Sequence, residues 1–460
     1  MDESNLTLEQ VRNDLRNSSH SIESDDVIEE VNVNSFQNFV SSYQRAQSFS
    51  ADRSINEETE LLGRRGSLSS NVTLINKNST VYQTIFNAIN TLIGIAVLSL
   101  PYALRLSGFW LGTILLFSCY LISTQTAKIL GSIIKKHPEL TTYGDIAGFC
   151  GGSIAQFLIT LSFVVDLTGA SLIIVLLFSD TFTQIFDLPK SFFKVLIVVL
   201  VFFLSFLPLN LLSLISLTGV ISTFSLLLTI GICGFITNVQ PGTLIHPMKI
   251  NFWPQNATGV IKSLGMFMAP YGGHPVFPEY YLDMRHPYKY SYACTVSFTV
   301  TFLIDYSIAI IGFLMYGTDV NDSIIKNLMD NSNYPKFIKM VLLVVLGILP
   351  VSKLPLFVKP ILRTVMSHLN LKDTLTSNIL IRLVYFGFIL LLSLVVQSFG
   401  RVVAFLGAAI CFTLCMTFPY YCKLVVFKDD LSSKEKGLYK MGIAIGTIGA
   451  ILGTVGSVID

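Results

Sequence analysis

Long uninterrupted runs of apolar residues constrain this chain more than any other feature of its sequence. After residue 78 these runs are about 20 residues long, which is the length that a helix needs to cross the hydrocarbon core of a bilayer. Only 13% of the residues are charged, whereas soluble domains carry roughly 25%. We therefore exclude a soluble enzyme and predict an all-α polytopic membrane protein with eleven transmembrane helices, called spans 1 to 11. The predicted spans are 80–105, 108–133, 153–180, 191–208, 210–237, 259–282, 289–316, 336–358, 378–398, 401–422 and 438–458.

The first 78 residues differ sharply in composition from the rest. They contain 13 acidic and 7 basic residues, with many Ser and Asn residues. Such a segment cannot bury enough apolar surface to offset its loss of chain entropy, so we expect a disordered cytosolic tail, 1–78, followed by a transmembrane domain, 79–460. The tail has no apolar stretch behind a basic start, so we expect no cleavable signal peptide.

Charge and cysteine content limit the partners. A net charge of +2 predicts no nucleic-acid partner. The seven cysteines have no CxxC spacing, which predicts no metal site, no disulfide framework and no cofactor.

The loop charges indicate the orientation. With the tail in the cytosol, 15 Lys and Arg residues fall on the cytosolic side and 8 on the opposite side, in agreement with the positive-inside rule. An odd number of spans then places the C-terminus in the lumen. The acceptors Asn256 and Asn321 fall on the lumenal side, where we expect glycosylation.

Two spans contain residues that interrupt a helix near mid-membrane. Span 1 carries Gly94 and then Pro101, while span 6 carries three prolines and two adjacent glycines within 268–278. Broken backbone at this depth is tolerated only where it lines a cavity, and paired interruptions mark the substrate site of transporters. Each break falls in the first helix of a repeat if the fold is a 5+5 inverted repeat plus one helix. The alternative is that Gly94 only permits close packing and the prolines only kink span 6.

The two breaks offer the groups that an α-amino acid requires. Half-helix N-termini present free N–H groups and a positive dipole end to a carboxylate. Unwound carbonyl groups accept hydrogen bonds from an ammonium group, and an α-amino acid carries both groups on one carbon.

Acidic side chains inside the membrane are candidates for proton coupling. Asp166 in span 3 and Asp305 in span 7 lie near mid-span, where a carboxylate costs about 2.5–3.5 kcal/mol on insertion scales. Buried carboxyl groups can bind protons reversibly, although either residue could serve only helix packing. Glu279, near the cytosolic end of span 6, is a third candidate or a plain surface carboxylate.

Four segments of the sequence form recognisable motifs: Gly-Ile-Ala-Val-Leu-Ser-Leu-Pro (94–101), Tyr-Gly-Gly-His-Pro-Val-Phe-Pro (271–278), Asp-Met-Arg-His-Pro (283–287) and Gly-Phe-Leu-Met-Tyr-Gly (312–317). These segments resemble the amino acid/auxin permease family and, within it, fungal vacuolar amino-acid transporters of the vesicular inhibitory amino-acid transporter-like branch. The resemblance implies an eleven-helix LeuT-like fold and proton-coupled transport. Matched by motif, the substrate site comprises Gly94, Ile95, Ala96, Val97, Tyr271, Gly272, Gly273 and His274, to which we add the neighbouring Thr91.

Other polar residues near these motifs have two interpretations each. His274 donates to the substrate or titrates, or it caps freed carbonyl groups. In related folds a sodium ion lies between helices 1 and 8, so Ser352 and Lys353 in span 8 are ion-site-like; the alternative is that Lys353 reaches the cytosolic interface. Cys411 and Cys415 share a helix face and are interpreted as packing residues.

These features favour a secondary active transporter that moves neutral amino acids into the lumen of a vacuole or lysosome-like organelle by proton antiport. Its partners would be an amino acid, protons and the bilayer. Glu57, Leu61 and Leu62 form an acidic dileucine pattern that would bind a sorting adaptor. The alternatives are a proton- or sodium-coupled symporter or exporter, and an amino-acid sensor. An enzyme is disfavoured, since no nucleophile or metal set lies at mid-depth.

Overall fold

Helices make up the whole regular structure of the part of the chain that is described. The computed structural model of the protein describes residues 79–207, 209–368 and 374–458. Every named element in these ranges is a helix, so the predicted all-α class is confirmed. The predicted tail, including its dileucine residues, lies outside the described residues.

Helices occupy each of the eleven predicted intervals, and eight of these intervals hold a single helix. Spans 2, 3, 4, 5, 7, 8, 9 and 11 are, in order, Phe109–Lys136, Tyr143–Thr183, Lys190–Leu204, Leu209–Ile236, Tyr290–Tyr316, Lys336–His368, Leu375–Val395 and Ser433–Val458. A short helix that the sequence did not predict, Ile324–Asp330, lies between spans 7 and 8.

Spans 1, 6 and 10 are composite. Span 1 consists of an α-helix, a 3-10 turn and a second α-helix: Val81–Leu92, Ile95–Ser99 and Leu100–Ser107. Span 6 has two 3-10 turns between its α-helices: Ala257–Met268, Ala269–Tyr271, His274–Val276 and Phe277–Asp283. Span 10 has two π-helical segments between its α-helices: Phe399–Phe405, Leu406–Cys411, Thr413–Thr417 and Phe418–Val426.

Length and apolar composition identify fewer crossings than the eleven predicted. Among the described residues, seven helices are long and apolar enough to cross a membrane, or eight when the two bent halves of span 1 count as one crossing. Spans 4, 5 and 6 fall short by this measure. Span 4 has only 15 residues, and the prolines of span 6 divide it into shorter helices. The protein is polytopic, and the count of eleven with its inverted repeat stays a prediction.

A glycine sets the start of the long straight part of span 3. Thr142 and Asp145 form a capping box at the beginning of the helix. Gly152 then has a φ of 73°, a conformation that glycine adopts without steric cost. The helix bends there, one residue before the start of the predicted span at residue 153.

The spans pack into two groups, which contact each other where span 5 packs against span 7. Span 7 packs against spans 1 and 2, and span 1 packs against the first helix of span 6. In the other group span 8 packs mainly against spans 3, 4 and 5, and span 9 packs against span 4. Spans 10 and 11 cover the first helix of span 6.

Two glycines bring the backbones of spans 6 and 10 into direct contact. A Cβ atom built on Gly265 would lie 1.9 Å from the carbonyl oxygen of Ala404, and one on Gly407 would lie 1.8 Å from the carbonyl oxygen of Gly265. No other residue type fits at such a distance. This contact fixes the part of span 6 that leads directly into its break.

Candidate functional site

The break in span 1 is an extended two-residue segment. The first helix ends at Leu92, and Gly94 has φ −111° and ψ −176°. The helices on either side are bent by 47° relative to each other. No side chain caps the N-terminus of the 3-10 turn that follows Gly94. Around the break, Thr91, Gly94 and Ala96 are partly exposed, whereas Ile95 and Val97 are buried.

The break in span 6 is tightened rather than unwound. Here the N–H groups of Gly272 and Gly273 donate to the carbonyl oxygens of Ala269 and Tyr271, at 3.2 and 2.9 Å. The sequence predicted free backbone groups in this stretch. Proline residues lack an N–H group and so cannot continue an α-helix. Two 3-10 turns, each with a proline at its first or second position, connect the two α-helices instead. The α-helical pattern stops at Met268 and resumes at Phe277.

The two breaks lie against each other. A Cβ atom on Gly273 would be 3.0 Å from Leu92 Cδ2 and 3.4 Å from Thr91 Cγ2. Seven residues further along span 6, the Tyr280 hydroxyl lies 2.5 Å from Thr91 Oγ1. The structure therefore brings the two predicted motifs together, and it adds Tyr280, which no sequence motif had indicated.

His274 is fully buried in the span 6 break and is anchored to span 2. Its Nε2 lies 2.8 Å from Thr126 Oγ1 and 3.2 Å from the Ser123 carbonyl oxygen. The Thr126 hydroxyl donates to the Ile122 carbonyl oxygen at 2.9 Å, so its oxygen is free to accept and Nε2 carries the hydrogen. Nδ1 is buried and has no hydrogen-bond partner among the described residues. The imidazole thus offers one acceptor within the break.

The π-helical part of span 10 lies next to His274. Cys415 lies next to His274 and Asp166. A Cβ atom on Gly272 would be 2.8 Å from Cys411 Sγ. The two cysteines were interpreted as packing residues, but the structure places them beside the span 6 break. A π-helix leaves no regular period in the sequence, so this neighbourhood could not be predicted.

The three acidic candidates lie in three separate places. Asp166 is half-buried and faces Cys415. Asp305 is fully buried on span 7 and lies within electrostatic range of the Tyr271 hydroxyl. Glu279 is half-buried, and its Oε2 has no hydrogen-bond partner in the described ranges. The structure does not gather them into one cluster.

Ser352 and Lys353 contact span 5. Ser352 is fully buried, and its hydroxyl donates to the Leu349 carbonyl oxygen at 2.9 Å. A Cβ atom on Gly219 of span 5 would be 2.3 Å from Ser352 Oγ and 3.8 Å from Lys353 Cγ. The main neighbours of span 8 are spans 3, 4 and 5, so the pair lies apart from the contact between the two breaks.

An ion-pair network joins several elements at the predicted lumenal end. Lys326 Nζ lies 2.9 Å from both an Asp180 and an Asp322 oxygen, and Lys190 Nζ lies 2.8 Å from Asp180. The Gly400 N–H donates to Asp322 at 3.0 Å. Burial alone would raise the pKa of Asp322, but Lys326 and the Gly400 N–H hold that pKa below its usual value. The network ties span 3 to the start of span 10.

The glycosylation acceptors are accessible, and no metal cluster is present in the part of the chain that the structure covers. Asn256 and Asn321 are both exposed. The Asn256 side-chain oxygen also caps the first helix of span 6 by accepting from the Gly259 N–H at 2.7 Å. Within the described residues, no group of three or more His, Cys, Asp and Glu side chains has the geometry to hold a metal ion.

Comparison with known proteins identifies the family. The family model described as "transmembrane amino acid transporter protein" matches residues 77–459. The chain belongs to this family. It is 26% identical to amino acid transporter AVT1E of Arabidopsis thaliana over 83% of this chain and 74% of the relative. It is 27% identical to amino acid transporter AVT1D of the same plant over 82% and 69% of the two chains. The predicted amino acid/auxin permease family is confirmed, and the chain is a membrane transporter rather than an enzyme.

A solved structure supports the fold of this transporter. A Na⁺-coupled sialic acid symporter in a substrate-bound outward-open state aligns with a TM-score of 0.50 at 11% identity. The alignment covers 92% of this chain and 96% of the symporter. At this identity the likeness concerns the fold alone, which is that of the LeuT-fold transporters.

Proposed function

We propose that this transporter moves neutral amino acids across the vacuolar membrane into the lumen, in exchange for protons. The observation that carries the proposal is the contact between the two breaks, in which Leu92 and Thr91 of span 1 lie against Gly273 of span 6. The family and the amino acid transporters that the chain resembles support an amino-acid substrate.

The substrate would lie where span 1 is extended. Apart from its chain neighbours, the only described atom within 4 Å of a Cβ atom built on Gly94 is the Leu92 carbonyl oxygen, at 3.9 Å, so there is room beside the backbone. The uncapped N–H groups after Gly94 suit the substrate carboxylate. Nδ1 of His274 is an acceptor for an ammonium or hydroxyl donor. Apolar neighbours such as Ile95 and Val97 favour a side chain without charge.

Proton coupling would use one of the acidic side chains Asp166, Asp305 and Glu279. In this mechanism a lumenal proton neutralises the carboxylate and favours return of the carrier to the cytosolic side. The group of spans 1, 2, 6 and 7 would rock against the group of spans 3, 4, 5, 8 and 9. An amino acid and a proton would therefore cross in opposite directions.

The orientation and location are part of the proposal. The tail would be cytosolic and the C-terminus lumenal, and Asn256 and Asn321 would carry sugars. Glu57, Leu61 and Leu62 would bind an adaptor that sorts the protein to the vacuole. Lys353 and Ser352 would take the place of the sodium ion that related folds bind between helices 1 and 8.

Uptake into proteoliposomes that contain the full chain tests this function. With one proton exchanged per amino acid, a gradient of one pH unit supports about tenfold accumulation. We expect accumulation in vesicles with an acidic interior and its loss when a protonophore collapses the gradient. Protein-free vesicles provide the control for leakage.

Several outcomes would contradict the proposed function. Accumulation that persists after the protonophore is added excludes proton coupling, and a strict requirement for sodium identifies a sodium symporter. Amino-acid binding without flux identifies a sensor. Accumulation only in vesicles with an alkaline interior would mean that the proton and the amino acid travel together.

A further inference from the structure

We propose that Asp305 is the residue that carries the coupling proton, in a closed polar pocket that it forms with Tyr271 and Thr301 where spans 6 and 7 meet. This inference rests on the proposed proton-coupled transport and adds the identity of the proton carrier. It assigns the Tyr271 side chain to this pocket, whereas the sequence motif had placed it beside the substrate.

All three side chains are enclosed and unpaired. Asp305, Tyr271 and Thr301 are each fully buried. Neither carboxyl oxygen of Asp305 has a hydrogen-bond partner among the described residues, and the same holds for the Tyr271 hydroxyl and Thr301 Oγ1. Thr301 precedes Asp305 by four residues on the helix Tyr290–Tyr316, so the two side chains share a helix face. Buried polar groups are rarely left without partners, and three in one place mark a functional pocket.

The surroundings require a neutral carboxyl group in this conformation. A buried charge without a partner is strongly unfavourable. The ionisable groups that face the pocket are Tyr271 from span 6 and, next to its hydroxyl, Cys119 and Tyr120 from span 2. The Tyr120 hydroxyl lies 2.8 Å from Thr299 Oγ1. Spans 1 and 5 also pack on span 7, but no Lys, Arg or His side chain of the described residues pairs with Asp305. We therefore infer that the Asp305 carboxyl group is protonated in this conformation.

Enclosure distinguishes Asp305 from the other two acidic candidates. Asp166 and Glu279 are half-buried residues, and among the three only Asp305 has both carboxyl oxygens buried without a partner in the described ranges. A proton on Asp305 can leave only after the helices around it separate and admit water. Because release then requires the conformational change, proton movement and alternating access are coupled at this residue. Its neighbour Tyr271 belongs to the span 6 break, which connects the proton pocket to the substrate site.

The test compares two activities of the Asp305→Asn variant in proteoliposomes. The first is amino-acid accumulation driven by a pH gradient, and the second is exchange of labelled for unlabelled amino acid at equal pH. The amide is permanently neutral. We expect exchange to stay within about twofold of the wild type and gradient-driven accumulation to fall by about tenfold, the factor that one pH unit supports. Asp187→Asn, at an exposed loop position, is the matched control and should retain both activities.

The outcomes separate this inference from the proposed function. If the wild type shows no gradient-driven uptake, the proposed function fails. If the wild type is proton-driven and folded Asp305→Asn still accumulates amino acid, or loses exchange as well, Asp305 is not the proton carrier. Loss of accumulation in Asp166→Asn alone would also overturn the proposal.

A second variant covers the case in which Asp305→Asn does not fold. Asp305→Glu keeps an ionisable group but moves it by one methylene. We expect it to accumulate amino acid with a pH midpoint displaced from that of the wild type. An unchanged midpoint would contradict the proposal.

Discussion

Replacing Gly94 by valine should reduce amino-acid uptake by about tenfold or more, which corresponds to the 1–3 kcal/mol that a badly placed apolar group costs, while the protein stays folded. The extended backbone at Gly94 suits any residue, because its φ is −111°. The valine Cβ atom would meet no described atom closer than 3.9 Å other than those of its chain neighbours. It therefore occupies the space that the proposal assigns to the substrate without disturbing the fold.

The matched control for this variant is Gly387→Val in span 9. Gly387 is exposed, and no atom lies within 4 Å of a Cβ atom built on it. Initial uptake rates in proteoliposomes, normalised to folded protein, compare the two variants. If Gly94→Val and the wild type take up amino acid at equal rates, the substrate does not bind at the span 1 break.

Replacing Gly265 by alanine should destabilise the protein by about 3 kcal/mol, at the upper end of typical overpacking costs. The added Cβ would lie 1.9 Å from the carbonyl oxygen of Ala404, and backbone atoms cannot move aside as a flexible side chain can. Spans 6 and 10 would have to separate, and the turn at Ala269–Tyr271, which follows directly in the chain, would lose its support.

Thermal unfolding of the purified protein measures this effect. We expect a much lower midpoint and little folded protein for Gly265→Ala. Gly231→Ala, at a helix position where a Cβ meets no atom within 4 Å, should match the wild type. A Gly265→Ala protein of normal stability would show that the two backbones do not approach as closely as described.

The positions of the breaks and the buried acids could be predicted because their causes are local. Proline lacks an N–H group and glycine relaxes the backbone wherever they occur, so 268–278 had to interrupt a helix. A carboxylate within an apolar run is visible in any single sequence. Family motifs then pointed to the same two segments, and the structure brings them into contact.

The partners across the fold could not be predicted, since they depend on how helices face each other. Tyr271 interacts electrostatically with Asp305 of span 7, a relation that no sequence motif indicates. The position of Cys415 beside His274 depends on π-helical turns that leave no pattern in the sequence. The short helix Ile324–Asp330, whose Lys326 joins the ion-pair network, has only seven residues, too few to be recognised as a membrane span.

Protection of a single cysteine by substrate tests the central claim, that an amino acid binds at the meeting point of the two breaks. Ala96 is partly exposed at this point, while all seven native cysteines are buried, so Ala96→Cys should react with a membrane-permeant maleimide well above the wild-type background. We expect a saturating transported amino acid to slow this reaction by about tenfold, the effect of about 90% occupancy. It should leave the reaction of the exposed control Asp429→Cys unchanged. If labelling at position 96 proceeds at the same rate with and without an amino acid that the same variant transports, the substrate does not bind between the breaks.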